Sequence, residues 1–106
     1  MKKIIVLATS SLFFANVAHA FGESPLQLQE QAARVMAQQM DMSRDQINQM
    51  KALVAKNSPI GGIDACTDYG MALEQNMAEN IPSMPDKLSE SIKKFATWGC
   101  VVKNGM

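Results

Sequence analysis

Cys66 and Cys100 are the only thiols in this sequence, and they carry its most definite chemistry. Two cysteines in an exported chain are expected to oxidise to each other. Their midpoint is residue 83, inside the breaker Ile81-Pro82-Ser83-Met84-Pro85, so doubling the chain back at Ser83 lays one cysteine beside the other. The spacing predicts an antiparallel helical hairpin closed at its open end by a Cys66–Cys100 disulfide. A structural bridge is the favoured role, because no Cys-x-x-Cys spacing marks a redox-active pair. Closing a loop of about 35 residues stabilises by roughly 3 to 4 kcal/mol on the chain-entropy account.

Whether the thiols oxidise depends on the compartment. Residues 1–20 have three zones: Lys2-Lys3, an apolar run from Ile4 to Phe14, and the small-residue ending Ala18-His19-Ala20. That is the layout of a cleavable secretory signal peptide with an A-x-A site. The run is interrupted by Thr9, Ser10 and Ser11 and falls short of the roughly 20 residues that span a bilayer. The expected product is residues 21–106, a single helical domain with a periplasmic or secreted location and no membrane span after cleavage.

Cleavage removes much of the remaining chemistry. The sole histidine, His19, leaves with the signal, so neither a Ser-His-Asp or Cys-His apparatus nor a histidine metal site can be built. Losing Lys2 and Lys3 leaves eight basic residues against ten acidic ones, a net charge of −2. That balance argues against a nucleic-acid partner. Two carboxylate pairs stand one turn apart, Asp41 with Asp45 and Asp64 with Asp68. Such pairs can do acid/base work or hold a hard cation. Each sits near an expected helix start, where acids are ordinary, and no third ligand is suggested. The reading is therefore a non-enzyme without cofactor or metal.

Eight methionines remain, among them Met36, Met40 and Met42. Thioethers bind Cu(I) or Ag(I), but adaptable packing is favoured because several methionines fall on expected core stripes. Met36, Met40 and Met42 stay candidates for a flexible binding face, and Trp98, next to Gly99-Cys100, is a candidate anchor or core residue.

The elements that must position these residues are all helical. The composition is rich in Gln, Met, Ala and Leu, and the fold class is an all-α domain of four helices. Ser24-Pro25-Leu26-Gln27 is a capping box with proline at N1, opening a helix over 25–40. Its apolar face is Leu28, Ala32, Val35 and Met36, with Gln27, Gln29, Gln31, Gln38 and Gln39 on the wet side. Ser43 and Gln46 form a second capping box, with Met42 set to staple onto Ile47, for a helix over 44–57 striped by Ile47, Met50, Leu53 and Val54. Pro59-Ile60-Gly61-Gly62 is a linker whose glycines permit positive φ. Asp64 is expected to cap a helix over 65–80 with a seam of Ile63, Cys66, Gly70, Leu73 and Met77. The last helix, over 85–98, turns Leu88, Ile92, Phe95 and Ala96 inward, with Gly99 as a left-handed C-cap and 103–106 as a frayed tail. Hairpin geometry sets Gly70 opposite Ala96 and Tyr69 near Trp98.

Residues 42–54 resemble one copy of the Leu-Thr-x-x-Gln motif of the small periplasmic stress chaperones of the CpxP/Spy family. The resemblance rests on Met42-Ser43-Arg44-Asp45-Gln46 followed by Ile47 and Met50. It implies a periplasmic chaperone that holds unfolded clients. Those chaperones carry a second copy of the motif, which this chain lacks.

Taken together, the residues point to a small exported protein acting by protein–protein contact, an accessory or adaptor factor of an envelope, secretion or conjugation system. The alternatives are a periplasmic stress chaperone, a methionine-based Cu(I)/Ag(I) carrier, or a toxin- or inhibitor-type factor. The expected partner is a protein of the cell envelope.

Overall fold

The computed structural model describes residues 24–105, and the segment read as a signal peptide lies outside them. The described residues form four helices, α1 (Pro25–Met40), α2 (Arg44–Asn57), α3 (Ile63–Asn80) and α4 (Asp86–Lys103).

The first two helices start where local chemistry puts them. Ser24 Oγ accepts from the Gln27 amide at 3.2 Å while Gln27 Oε1 accepts from the Ser24 amide at 3.0 Å. Ser43 and Gln46 repeat the exchange at 3.2 and 2.8 Å. Each box satisfies two amide donors that a helix start otherwise leaves unpaired. Asp41 closes α1 in the left-handed region at φ 54°, a conformation that Asp tolerates better than most residues.

α4 is the organising rod. α1 and α3 both pack along it and never meet each other, while α2 leans on α4 and touches α1 only lightly. The core is Ala32, Ala33 and Met36 from α1, Ile47 and Val54 from α2, and Leu88, Ile92, Phe95 and Ala96 from α4. Burying three large apolar side chains of α4, Leu88, Ile92 and Phe95, at roughly 2 kcal/mol each explains why this helix holds the others.

The hairpin of α3 and α4 reverses as the midpoint of the cysteines predicts: Ser83 takes the left-handed conformation at φ 55°. Near that turn, Ser89 Oγ donates to Glu74 Oε2 at 2.8 Å. At the other end Cys66 and Cys100 are bonded, their α-carbons 5.4 Å apart. Between the two pins, the β-carbon that Gly70 lacks would lie 2.6 Å from the Lys93 carbonyl oxygen and would collide with the Thr97 hydroxyl. Gly70 therefore lets the backbones approach, but it nests between Lys93 and Thr97, on either side of the expected Ala96.

Several local expectations are corrected. α3 begins two residues early, with Gly62 as N-cap and Asp64 in the first turn. α4 runs five residues past the expected end, so Gly99 is a helix-interior residue and not a C-cap, and Lys103 is helical. The reason lies in packing: a β-carbon at Gly99 would stand 2.5 Å from Gln29 Nε2 and 2.7 Å from Val54 Cγ1. Neither Gly61 nor Gly62 has positive φ. Gly61 serves close approach, since its β-carbon would meet Ala65 Cβ at 2.8 Å. Gln29, expected on the wet side, is buried and donates weakly to the Phe95 carbonyl at 3.5 Å. Leu53 and Ile63, expected on buried stripes, are 52% and 48% exposed. Among the described residues no helix is long and apolar enough to cross a membrane.

Candidate functional site

The bridge itself is closed to chemistry. Cys66 and Cys100 are fully buried under Tyr69, Trp98 and Val101, so an attacking thiolate has no path to either sulfur. Asn104 Nδ2 reaches both sulfurs at 3.5 and 3.6 Å and donates to the Pro59 carbonyl at 3.0 Å. Burial also pushes the Tyr69 hydroxyl above its ordinary pKa. Tyr69 and Trp98 thus share one neighbourhood, as hairpin geometry requires.

The methionine candidates do not gather into one exposed face. Met36 is completely buried in the core, and Met40 and Met42 are half-buried against it. The stapling partner of Met42, Ile47, sits in that same cluster. The carboxylates of Asp41, Asp45, Asp64 and Asp68 lie on exposed residues. Among the described residues, no three His, Cys, Asp or Glu side chains come together as an ion site.

One charged cluster is built between α1 and α2. The Arg44 guanidinium grips Glu30 with both nitrogens, each at 3.0 Å, and the Lys51 ammonium bonds the same carboxylate. The two Arg44 bonds first, then Lys51, hold the Glu30 carboxyl down at about 2. Two cations on one carboxylate make a tie between helices that otherwise touch little.

Two of the open features among the described residues are apolar-lined clefts between helices. The first follows from the helix arrangement: α2 and α3 both rest near α4 without meeting, and the gap between them is lined by Met50, Leu53, Tyr69, Leu73 and Met77 over a floor that includes Val54, about 330 Å³ in all. Its polar ends are the amides Asn57 and Asn76, and no charged side chain lines it. Tyr69, Leu73 and Met77 stand at successive turns of α3 and form one apolar rail. The second cleft, about 560 Å³, is a groove along the contact of α1 with α4 and is lined by Leu28, Ala32, Val35 and Trp98 together with Lys87, Glu90 and Lys94. Glu90 is held by Lys93 at 3.0 Å, and that bond, with a smaller pull from Lys94, lowers its pKa.

Trp98 is half-buried: it packs against the cluster of Cys66, Cys100 and Val101 and also lines this cleft. Met50, Leu53 and Met77, which line the first cleft, are not among the binding residues that the sequence offers. Periodicity offers no signal for them, because Leu53 shares its stripe with Ile47 and Val54, which are buried. No family model, no curated protein and no solved structure matches this chain.

Proposed function

We propose that this chain is a small exported protein of the cell envelope that works by contact and not by catalysis, receiving a short amphipathic helix of a partner polypeptide in the α2/α3 cleft. The observation that carries this reading is Leu53, a leucine half exposed between Met50 and the Tyr69-Leu73-Met77 rail in a gap that two helices leave open. Apolar side chains arranged along such a groove are the usual receptor for one face of an amphipathic helix. The rail from Tyr69 to Met77 covers about 12 Å of helix rise, so the occupant offers about two turns. With amides and no charges in the lining, its inserted side chains are uncharged.

The signal-like start of the chain and the disulfide support a periplasmic or secreted setting. The bridge and the close Gly70 contact keep the α3 rail rigid, which lowers the ordering cost of binding. A second reading, a chaperone with many clients, is favoured by Met50 and Met77, because methionine adapts to differing partners.

Site-specific photo-cross-linking in intact cells separates these readings. A photoreactive side chain at Leu53 is expected to give one discrete adduct in the envelope fraction, while one at Asn48, on the exposed side of α2, gives none. A smear of many adducts from Leu53 favours the chaperone. No adduct from Leu53 overturns docking in this cleft.

A further inference from the structure

We infer that the α1/α4 cleft is a second docking face, and that its occupant is an acidic amphipathic helix of a partner polypeptide, seated with its apolar side on Trp98 and its carboxylates on Lys87 and Lys94. This face does not depend on whether the α2/α3 cleft is used.

Three observations carry it. Trp98 is the sole tryptophan of the chain, half-buried, packed against the cluster of Cys66, Cys100 and Val101 while also lining the cleft with Leu28 and Val35. An aromatic held in place by its own core loses little freedom on binding, which is the character of an interface anchor. Lys87 and Lys94 are seven residues apart on α4, so they stand two turns apart on one face at the same margin. Both are exposed, and neither has an ion-pair partner among the described residues. The only acid lining the cleft, Glu90, is already bonded to Lys93. The α1 wall is uncharged, being Leu28, Gln31, Ala32 and Val35. The result is an apolar slot with a cationic margin, on a product whose net charge of −2 would repel acidic molecules elsewhere.

The two clefts also face apart. At 100° per residue, Lys94 and Trp98 lie on the side of α4 turned away from Ala96, and the α3 side belongs to Lys93 and Thr97 near Gly70. A protein with an uncharged slot on one side of its central rod and a cationic aromatic slot on the other can hold two different polypeptides at once.

Trp98 fluorescence of the oxidised protein reads this face directly. The probe is a synthetic amphipathic peptide of about four helical turns, with leucines along one stripe and glutamates flanking it. A blue shift that saturates with peptide is expected. It should weaken by about tenfold or more in the Lys87→Glu, Lys94→Glu double variant and fall with added salt. It should persist in Leu53→Glu, which disables only the other cleft, so loss of α2/α3 docking and loss of this face are told apart. Circular dichroism confirms that each variant is folded. Equal binding of the same peptide with lysines for glutamates, an undiminished signal in the double variant, or no shift at all overturns the inference. So does a shift produced by phosphatidylglycerol vesicles and not by the peptide, which would make the face a membrane contact. Concentration-dependent dimerisation that buries Trp98 in the absence of peptide would assign the slot to a second copy and equally overturn it.

Discussion

Gly70 faces the Lys93 carbonyl so closely that a β-carbon there would stand 2.6 Å from the oxygen. Two opposed effects meet at this residue. Replacing an interior helical glycine by alanine should stabilise by about 1 kcal/mol through backbone entropy. Forcing a methyl into a packed backbone contact costs typically 1–3 kcal/mol. A carbonyl within α4 cannot step aside as a flexible side chain can, so packing wins. Clashes at both the Lys93 carbonyl and the Thr97 hydroxyl put the cost in the upper part of that range. Gly70→Ala is therefore expected to lower the urea midpoint of the oxidised domain, with a net loss of up to about 2 kcal/mol. A variant as stable as the parent would show that the hairpin has room to spare.

The bridge between Cys66 and Cys100 constrains a long stretch of chain, with a sequence separation of 34. Removing it with Cys66→Ala and Cys100→Ala together should cost roughly 3–4 kcal/mol, for a melting temperature lower by on the order of 15–25 °C in a domain of this size. Thermal unfolding followed by circular dichroism at 222 nm, the ordinary helix band, makes the comparison. A drop below about 5 °C would mean that α4 holds its neighbours without the bridge.

Glu30 makes stability depend on acid. Its carboxyl is depressed from an unfolded value of 4.5 to about 2 by Arg44 and Lys51. A depressed acid contributes stability that is fully present above the unfolded pKa and is lost as pH falls through the folded one. The window is therefore from pH 4.5 down to about 2. With the Glu30 side chain 24% exposed and that of Arg44 61% exposed, solvent screening reduces the contribution to about 1 kcal/mol. Urea midpoints of the parent and Glu30→Gln should differ at pH 7 and converge near pH 2. A constant difference across that range would remove Glu30 as the cause.

Gln29 is a buried amide with one long bond to the Phe95 carbonyl. An amide hydrogen bond contributes modestly on balance, and replacing a buried polar group by an apolar one of the same shape is often neutral or favourable. Gln29→Met should leave stability within about 1 kcal/mol of the parent, whereas Gln29→Ala should cost roughly 2–3 kcal/mol by opening a cavity beside Gly99 and Val54. Denaturant titration of the pair decides it. A severe loss in the methionine variant would reveal that the amide itself specifies the α1–α4 contact.

What the sequence made legible was what neighbours along the chain decide. The Ser24/Gln27 and Ser43/Gln46 boxes, the turn at Ser83 and the pairing of Cys66 with Cys100 follow from short-range chemistry or from symmetry about a breaker. Gly99 misled because glycine usually ends helices, yet here it is kept inside one so that Gln29 and Val54 can approach. Gln29 misled for the complementary reason, since a polar type says nothing about a groove created by a glycine 70 positions later. The clefts were hidden more deeply. One arises from α2 and α3 failing to meet, and no periodicity in either helix alone reports the distance between them. The other is a groove along the packed α1–α4 pair, whose depth depends on side chains of both helices.

The far end of α4 reaches back to the connection between α2 and α3. Lys103 Nζ donates to the Ser58 carbonyl at 2.7 Å and Asn104 Nδ2 to that of Pro59 at 3.0 Å, so the last helical turn works as a buckle on the strap joining the two walls of the apolar slot. Shortening the chain before Lys103 would unfasten that strap and let the walls drift, changing the slot's width without touching its lining. A fusion or affinity handle at this end would load the buckle directly.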